Sequence, residues 1–329
     1  ERLAKDQGDL WDSTKIKSAE TRAIAYAGSA LTSTRQVFWK VRVWDQDDAP
    51  SAWSAAGEWT MGVVNPQDWK AAWITAAALP SAGSYPNLLL RREFTVKPGL
   101  RRAVVHVSGV GSYEMSINGA KVSEDLLTPG WTNYQKTVLY NSYDVTPLLR
   151  GGANAAGLML GNGMYYVEKT HGRYTKFNNA AAQPKAIAQL QLDYADGSTE
   201  TVATDAQWTT HAGPITFSNV YGGEDYDARL ESQGWNQPGY DDKSWSSAVV
   251  VDGTGGAIKG LSVANPPIRT FEVFKPVAKH ELRPGVTVYD MGQNASVMPR
   301  LTVRGPAGSV VRIIPGELLK PDGSANQKG

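Results

Sequence analysis

Along most of the chain apolar residues alternate with polar ones at a period of two, the pattern of half-buried strands, and no window carries a sustained helical repeat. In "VFWKVRVWDQDDAPSAWSAAGEWTMG" Phe38, Lys40, Arg42 and Trp44 fall on one face, and Trp39, Val41 and Val43 on the other. The turn "DQDDAP" then leads into a second strand. In "SYEMSINGAKVSEDLLTPGWTNY", residues 112–134, Tyr113, Met115 and Ile117 alternate with Ser112, Glu114 and Ser116. Asn118-Gly119 predicts a two-residue type I′ turn, because both residues tolerate positive φ. A further hairpin is predicted about Asp196-Gly197, with Ala186, Ala188, Leu190, Leu192 and Tyr194 on its buried face.

Pro66 in "VVNPQDWKAAWI" and the Gly/Pro-rich "GTGGAIKGLSVANPPIRT" divide the 329 residues into three blocks. The expected fold class is all-β, as tandem β-sandwiches. Residues 1–63 read as a partial fibronectin III-like domain, 64–262 as a jelly roll, and 263–329 as a partial further β-sandwich. A fibronectin-like sandwich needs about seven strands, and too few precede Phe38. The first domain is therefore expected to be cut at its amino-terminal side, and the third, which runs out in "KPDGSANQKG", at its carboxy-terminal side. The opening "ERLAKDQ" has neither an initiating Met nor a signal peptide, so the biological start is expected upstream.

Composition narrows the function classes. With 33 basic and 32 acidic residues the formal net charge is +1, which lacks the basic excess of a nucleic-acid binder. No apolar run approaches a membrane span. The absence of cysteine removes disulfides, thiolate metal sites and thiol nucleophiles. It suits the cytosol and an export compartment alike; a periplasmic or extracellular location is favoured over a cytoplasmic one. Eleven Trp and fourteen Tyr suit sugar stacking as well as a β-sandwich core. His106, His171, His211 and His280 stand at no metal-ligand spacing. There is no phosphate loop and no nucleophile elbow.

Carboxylate clusters remain. Asp45, Asp47 and Asp48 read as a solvated turn, without the Gly and distal Glu of a calcium loop. Glu224, Asp225 and Asp227 beside Arg229 read as an ion-pair cluster, since glycoside hydrolysis needs two carboxyl groups on opposite sides of the scissile bond. Glu124 and Asp125, followed by Trp131 and Tyr134, leave two readings open. One is a loop closed by a packed Trp; the other is a loop that holds a sugar or a calcium ion through Asp, Asn and carbonyl oxygens.

The segments "LWDSTKIKS", "FWKVRVWDQDDAPSAWS", "SYEMSINGAKVSEDLLTPGWTNYQKTVLYNSYDVTPLL", "LGNGMYYVEKTHGRYTKF", "PKAIAQLQLDYADGSTETVATDAQWTTHAGPITFSNVYGGEDYDAR", "NPPIRTFEVFKPV" and "VYDMGQNASVMPRLTVRGPAGSVVRI" stand in order along the chain. Together they resemble the amino-terminal half of bacterial α-L-rhamnosidases of glycoside hydrolase family 78. The resemblance implies accessory β-domains ahead of a catalytic α/α barrel that lies outside this chain. It also implies inverting hydrolysis of terminal α-L-rhamnosyl groups in the parent protein, with no catalytic residue among these 329. The partners it implies are rhamnose-containing glycosides or polysaccharides and the catalytic domain of the same protein; no cofactor is required. Some family jelly rolls bind rhamnose beside a calcium ion. The nearest matches here are Asp125 and Asn179 for the sugar, and Asn179 with the Pro184 carbonyl for calcium. Tyr165, Arg173 and Tyr174 are the alternative sugar-facing residues, placed to reach the barrel's mouth. A stand-alone carbohydrate-binding array, an adhesive sandwich protein and the front of another glycoside hydrolase, such as a β-galactosidase-like enzyme, are the other readings.

Overall fold

The computed structural model describes residues 2–22, 24–77, 85–180, 182–261 and 266–326. They form two compact units, Glu1–Ile268 and Arg269–Gly329. The boundary expected between 262 and 263 lies outside the described residues. Strands dominate; the helical segments among the described residues are four short 3-10 turns.

In the first unit, Gln36–Trp39 pairs antiparallel with Gly57–Thr60. The hairpin is prolonged by the Trp44–Pro50 bridge, and by Ser51 N donating to Val43 O and Ser54 N to Val41 O. The alternation read from sequence holds. Lys40 and Arg42 lie over Trp53 at 4.8 and 4.7 Å, and Arg42 also lies 5.0 Å from the Trp44 ring centre. These stacked cations and rings cover one face of a ribbon too narrow to bury it with aliphatic side chains. Val41 and Val43, on the other face, are exposed.

The larger part of the unit is a sandwich of two sheets. One runs Val249–Val251, Trp73–Thr75, Lys185–Tyr194, Leu100–Val110, Thr137–Asp144, Ala257–Gly260, with Thr199–Ala203 also paired to Lys185–Tyr194. The other runs Ser246–Ser247, Thr209–Ala212, Leu88–Val96, Gly152–Gly161, Ser112–Ile117, Ala120–Lys121. Successive long strands alternate between the sheets, as in a jelly roll. Ile74, Leu90, Val105, Val107, Leu158 and Leu192 are among the side chains sealed between them. Both predicted hairpins form. Asn118 and Gly119 take φ of 52° and 84°, and the five residues expected on the buried face of 185–194 are all buried.

Gly111 turns the corner from the first sheet into the second. Its φ is +123°, and a Cβ there would collide with the Gly161 carbonyl oxygen. Position 111 therefore excludes every side chain on both torsional and steric grounds.

The outer face of the first sheet is also covered. Ala103 through Val110 are buried without alternation. His106, fully buried, shares hydrogen bonds with Thr34 Oγ1 at 2.9 Å and Ser142 Oγ at 2.7 Å, and sits against Trp69 and Tyr140. The Tyr140 hydroxyl accepts from Val63 N at 2.6 Å. Arg102 donates to Thr34 O at 3.0 Å, Thr60 Oγ1 at 2.8 Å and Asp193 Oδ2 at 3.2 Å. Gln189 donates to Asp68 O and accepts from Lys70 N. The amino-terminal domain and its linker are thus hydrogen-bonded onto the sandwich.

In the second unit, Ala278–Arg283 pairs with Val286–Asp290 around Gly285, and Leu318–Leu319 with Ala325–Asn326. Residues 297–314 alternate as strands would, yet run without a ladder partner among the described residues, and Val303, Val310 and Ile313 are exposed. Alternation gives a strand its faces, whereas a ladder also needs a neighbour.

Two outcomes follow. Burial, with the Arg102 cation nearby, lowers His106 from 6.5 to about 4. The unfolded chain takes up a proton near 6.5 where the folded chain resists it. Stability is therefore full above pH 6.5 and falls as pH drops towards 4, by up to roughly 3 kcal/mol from this group. Urea midpoints across that window should show the slope, and His106→Gln should flatten it. Gly111→Ala should cost about 3 kcal/mol or more, read as the shift in the same midpoints at pH 7.5.

Candidate functional site

Some of the residues singled out from sequence, Arg173, Tyr174 and the carboxylates of 224–227, lie together beside the second sheet. There the hairpin Ser112–Lys121 and the loop after it meet the hairpin of Ile215–Asn219 with Gly223–Tyr226 and the loop 168–177.

The loop 168–177 is held by its own polar groups. Asn219 Nδ2 donates to Glu168 O at 3.1 Å, and the Tyr166 hydroxyl donates to Glu168 Oε2 at 2.6 Å. Arg173 carries the contact with the hairpin. Its guanidinium donates to Gly222 O at 3.1 Å and Asp225 Oδ2 at 2.5 Å, and lies 4.0 Å from the Phe217 ring centre. A planar cation that satisfies a carbonyl, a carboxylate and an aromatic face together is fixed far better than a surface lysine. Tyr174 beside it is 69% exposed; its ring meets Tyr221 edge-on, as Phe177 does. Arg173 and Tyr174 thus share one rim. Tyr165 does not join them: it is buried in a small core with Trp73, Val138 and Ile187, edge-on to Tyr134. Burial, with Tyr165 adjacent, pushes the Tyr134 phenol up to about 12.

The carboxylates of "GGEDYDAR" separate by partner. Asp225 pairs with Arg173, while Asp227 binds Arg229 through two bonds of 2.8 and 2.6 Å. Those hydrogen bonds hold Asp227 down at about 2. Glu224 is raised, by desolvation first and then by the charge of Glu114. Glu114 in turn pairs with Lys121 at 2.6 Å. Sequence spacing placed Glu224 with Asp225; the fold also brings it within electrostatic reach of Glu114, 110 positions away, a proximity that no local motif encodes.

Asp125 is half-buried beside a cavity of about 20 Å³ lined by Tyr113, Glu114, Ser123 and Tyr143. That volume holds about one water and no sugar ring. The Tyr143 hydroxyl points to Asp125 Oδ2 at 3.5 Å. Trp131, read from sequence as a possible loop staple, is 63% exposed, whereas Tyr134 is buried. Asn179 is exposed and donates from Nδ2 to Met164 O at 2.8 Å. Pro184 is buried, and its carbonyl accepts from Thr75 Oγ1 at 2.7 Å. A calcium ion would have to take that oxygen from the Thr75 hydroxyl, and no group of three or more His, Asp or Glu side chains gathers among the described residues. Asn179 and Pro184 therefore fit calcium poorly.

A larger concavity, about 630 Å³, lies where the amino-terminal domain meets the sandwich, lined by Thr34, Arg35, Arg101, Arg102, Asp144 and Asp193 among others. Sequence reasoning missed it, because its walls come from segments that are distant along the chain. Asp193 pairs with Arg102, and Asp144 accepts from Thr146 N and Oγ1 to cap its own turn. Both carboxylates are structural anchors, not an acid and base poised across a bond.

The fold defines a multidomain β-sandwich protein, with an exposed tyrosine ring beside a fixed arginine on one rim. Residues 99–272 match the model of the α-L-rhamnosidase N-terminal domain, 2–65 that of the Rha78A-like N-terminal immunoglobulin domain, and 280–329 that of the bacterial α-L-rhamnosidase concanavalin-like domain. The chain belongs to the bacterial α-L-rhamnosidase family. An α-L-rhamnosidase of an Alteromonas species is 33% identical over 94% of the chain and 34% of its own length. The structure of an α-L-rhamnosidase from Dictyoglomus thermophilum superposes with a TM-score of 0.79 at 37% identity, over 89% of this chain and 33% of that one. That of the Aspergillus terreus enzyme gives 0.73 at 30%, over 81% and 31%. The chain thus spans about a third of the length of these relatives.

Arg173→Ala should free the loop 168–177 from its hairpin. Hydrogen exchange of the amides in 170–177 should accelerate at least about tenfold, while the unfolding free energy changes by no more than about 1 kcal/mol. Unchanged exchange would show that the aromatic contacts alone hold the loop.

Proposed function

We propose that this chain is the amino-terminal accessory region of an α-L-rhamnosidase, a parent protein that hydrolyses terminal α-L-rhamnosyl groups. The observation that carries this reading is the succession of three α-L-rhamnosidase domain models along the chain, in order and without rearrangement. The parent's inverting reaction needs one carboxylic acid to protonate the leaving oxygen and a second carboxylate, about 6.5–9.5 Å away, to activate water. In this chain the described acidic side chains near concavities are tied to Arg102, Arg173 or their own turns, or border a cavity with room for one water. That arrangement supports catalytic carboxylates outside these residues.

In this reading the rim of Arg173 and Tyr174, with Tyr221 edge-on to Tyr174, faces rhamnose-containing glycan or the catalytic domain. The exposed ring of Tyr174 offers a stacking face and Arg173 a fixed cation. Polymeric glycans lie outside the cell, which favours a periplasmic or extracellular location.

The 329-residue chain should release no nitrophenol from 4-nitrophenyl α-L-rhamnoside, whereas a protein of the relatives' length that carries it should turn the substrate over. Turnover by the chain alone would place the acid and base within it. An inactive parent would remove the α-L-rhamnosidase reading.

A further inference from the structure

We propose that the concavity between the immunoglobulin-like domain and the jelly roll is a binding groove for an acidic oligosaccharide, a glycan segment that carries carboxylates. Its volume of about 630 Å³ lies within the range of small-molecule sites. Three guanidinium groups line it, against two carboxylates. Those two carboxylates are committed: Asp193 to Arg102, Gln191 and Thr199, and Asp144 to the turn at Thr146. Arg102 is committed as well, since it ties Thr34, Thr60 and Asp193 together across the domain junction. Its Nε is nonetheless buried without a partner among the described residues.

What remains uncommitted is positive. The side chains of Arg35 and Arg101 are exposed and neither forms an ion pair among the described residues. One comes from each domain, so the groove exists only while the two are joined. Arginine binds carboxylates through two parallel N–H bonds, which fixes orientation as well as charge. Around the two arginines the walls are polar, with Thr32, Ser33, Gln36 and Gln191; the Ser33 hydroxyl donates to Asp68 and the Gln36 and Gln191 amides to Glu58 and Asp193, so the arginines carry the recognition. The one aromatic residue of the lining is Tyr194, itself buried. A neutral sugar that relies on ring stacking is therefore a poor match, and an anionic one a good match. That the ligand is a glycan rests on the rhamnosidase reading; the requirement for negative charge rests on the groove alone.

Affinity electrophoresis of the full chain tests this, in native gels that contain polygalacturonate or the same polymer with its carboxyl groups reduced to alcohols. The chain should be retarded by the acidic polymer and not by the neutral one. Arg35→Ala combined with Arg101→Ala should weaken the apparent affinity about tenfold or more, the loss of charge-assisted hydrogen bonds. The pair Arg300→Ala with Arg304→Ala removes two exposed charges from the other unit and should leave retardation unchanged. Circular dichroism melts of both variants establish that each is folded, and the single charge reversal Arg101→Glu provides a second readout if the double variant melts early. Absence of retardation, equal retardation by the neutral polymer, or equal loss in the control pair would overturn the proposal. None of these outcomes bears on rhamnoside turnover by the parent, and an inactive parent would leave the retardation standing, so the two readings fail separately.

Discussion

From Ala103 to Val110 the strand Leu100–Val110 is buried on both faces, and the first unit is organised around that constraint. Its inner side chains, Val105 and Val107, close the sandwich core with the second sheet. Its outer side chains include His106, and a buried imidazole must find partners for both ring nitrogens or bear the cost of desolvation alone. Thr34 from the amino-terminal domain supplies one partner and Ser142 from the neighbouring strand the other. Trp69 and Tyr140 then exclude water from the ring. The polar residue within an otherwise aliphatic strand is thus what specifies where the first domain docks: an apolar residue would bury as well but would not select Thr34.

The second sheet solves the same problem with a charge. Arg91, almost wholly buried, donates to the Trp235 and Gln237 carbonyls at 2.8 and 3.1 Å and pairs with Asp242 and Glu93. It holds the segment 235–242 over the outer face of Leu88–Val96, where Trp235 and Trp245 stack. A buried guanidinium with its hydrogen bonds satisfied contributes specificity more than raw stability, and leaving it half-satisfied would be costly. Each sheet therefore presents one keystone, a histidine or an arginine, and in both cases one partner is a loop or domain that the strands alone could not retain. The rim with Arg173 and Tyr174 is assembled on the same logic, a single arginine that joins two loops.

What could be read from the sequence was whatever has a local cause. Asn118-Gly119 and Asp196-Gly197 force their turns, and the alternation about them assigns the buried faces. The ion-pair character of Asp227 with Arg229 was legible because the two are neighbours in sequence. Illegible features depend on where distant segments land. Tyr165 looks like any loop tyrosine, yet the strand Thr137–Asp144 brings Val138 onto it and Tyr134 edge-on. Pro184 looks like a free carbonyl until Thr75 donates to it. Residues 297–314 alternate as strands would, and alternation says nothing about which neighbour a ladder takes. Arg35 and Arg101 lie in "TRQ" and "LRRA" with no periodicity that would join them.

The distribution of charge also argues for a division of labour. A general acid must keep its proton near neutral pH, which requires a carboxyl group desolvated or crowded by another carboxylate and free of cationic partners. Asp193, Asp225, Asp227 and Asp242 each have an arginine partner. Among the described acidic side chains Glu224 is the one raised, by desolvation and by Glu114, and it lies on an open hairpin surface. The arginines paired with these carboxylates fix loops and domains, and that use is incompatible with keeping the same carboxyl groups protonated. A region built in this way is suited to orienting and docking, because those tasks need fixed charges. Bond cleavage needs an adjustable one, and these four arginine-paired carboxylates are not of that kind.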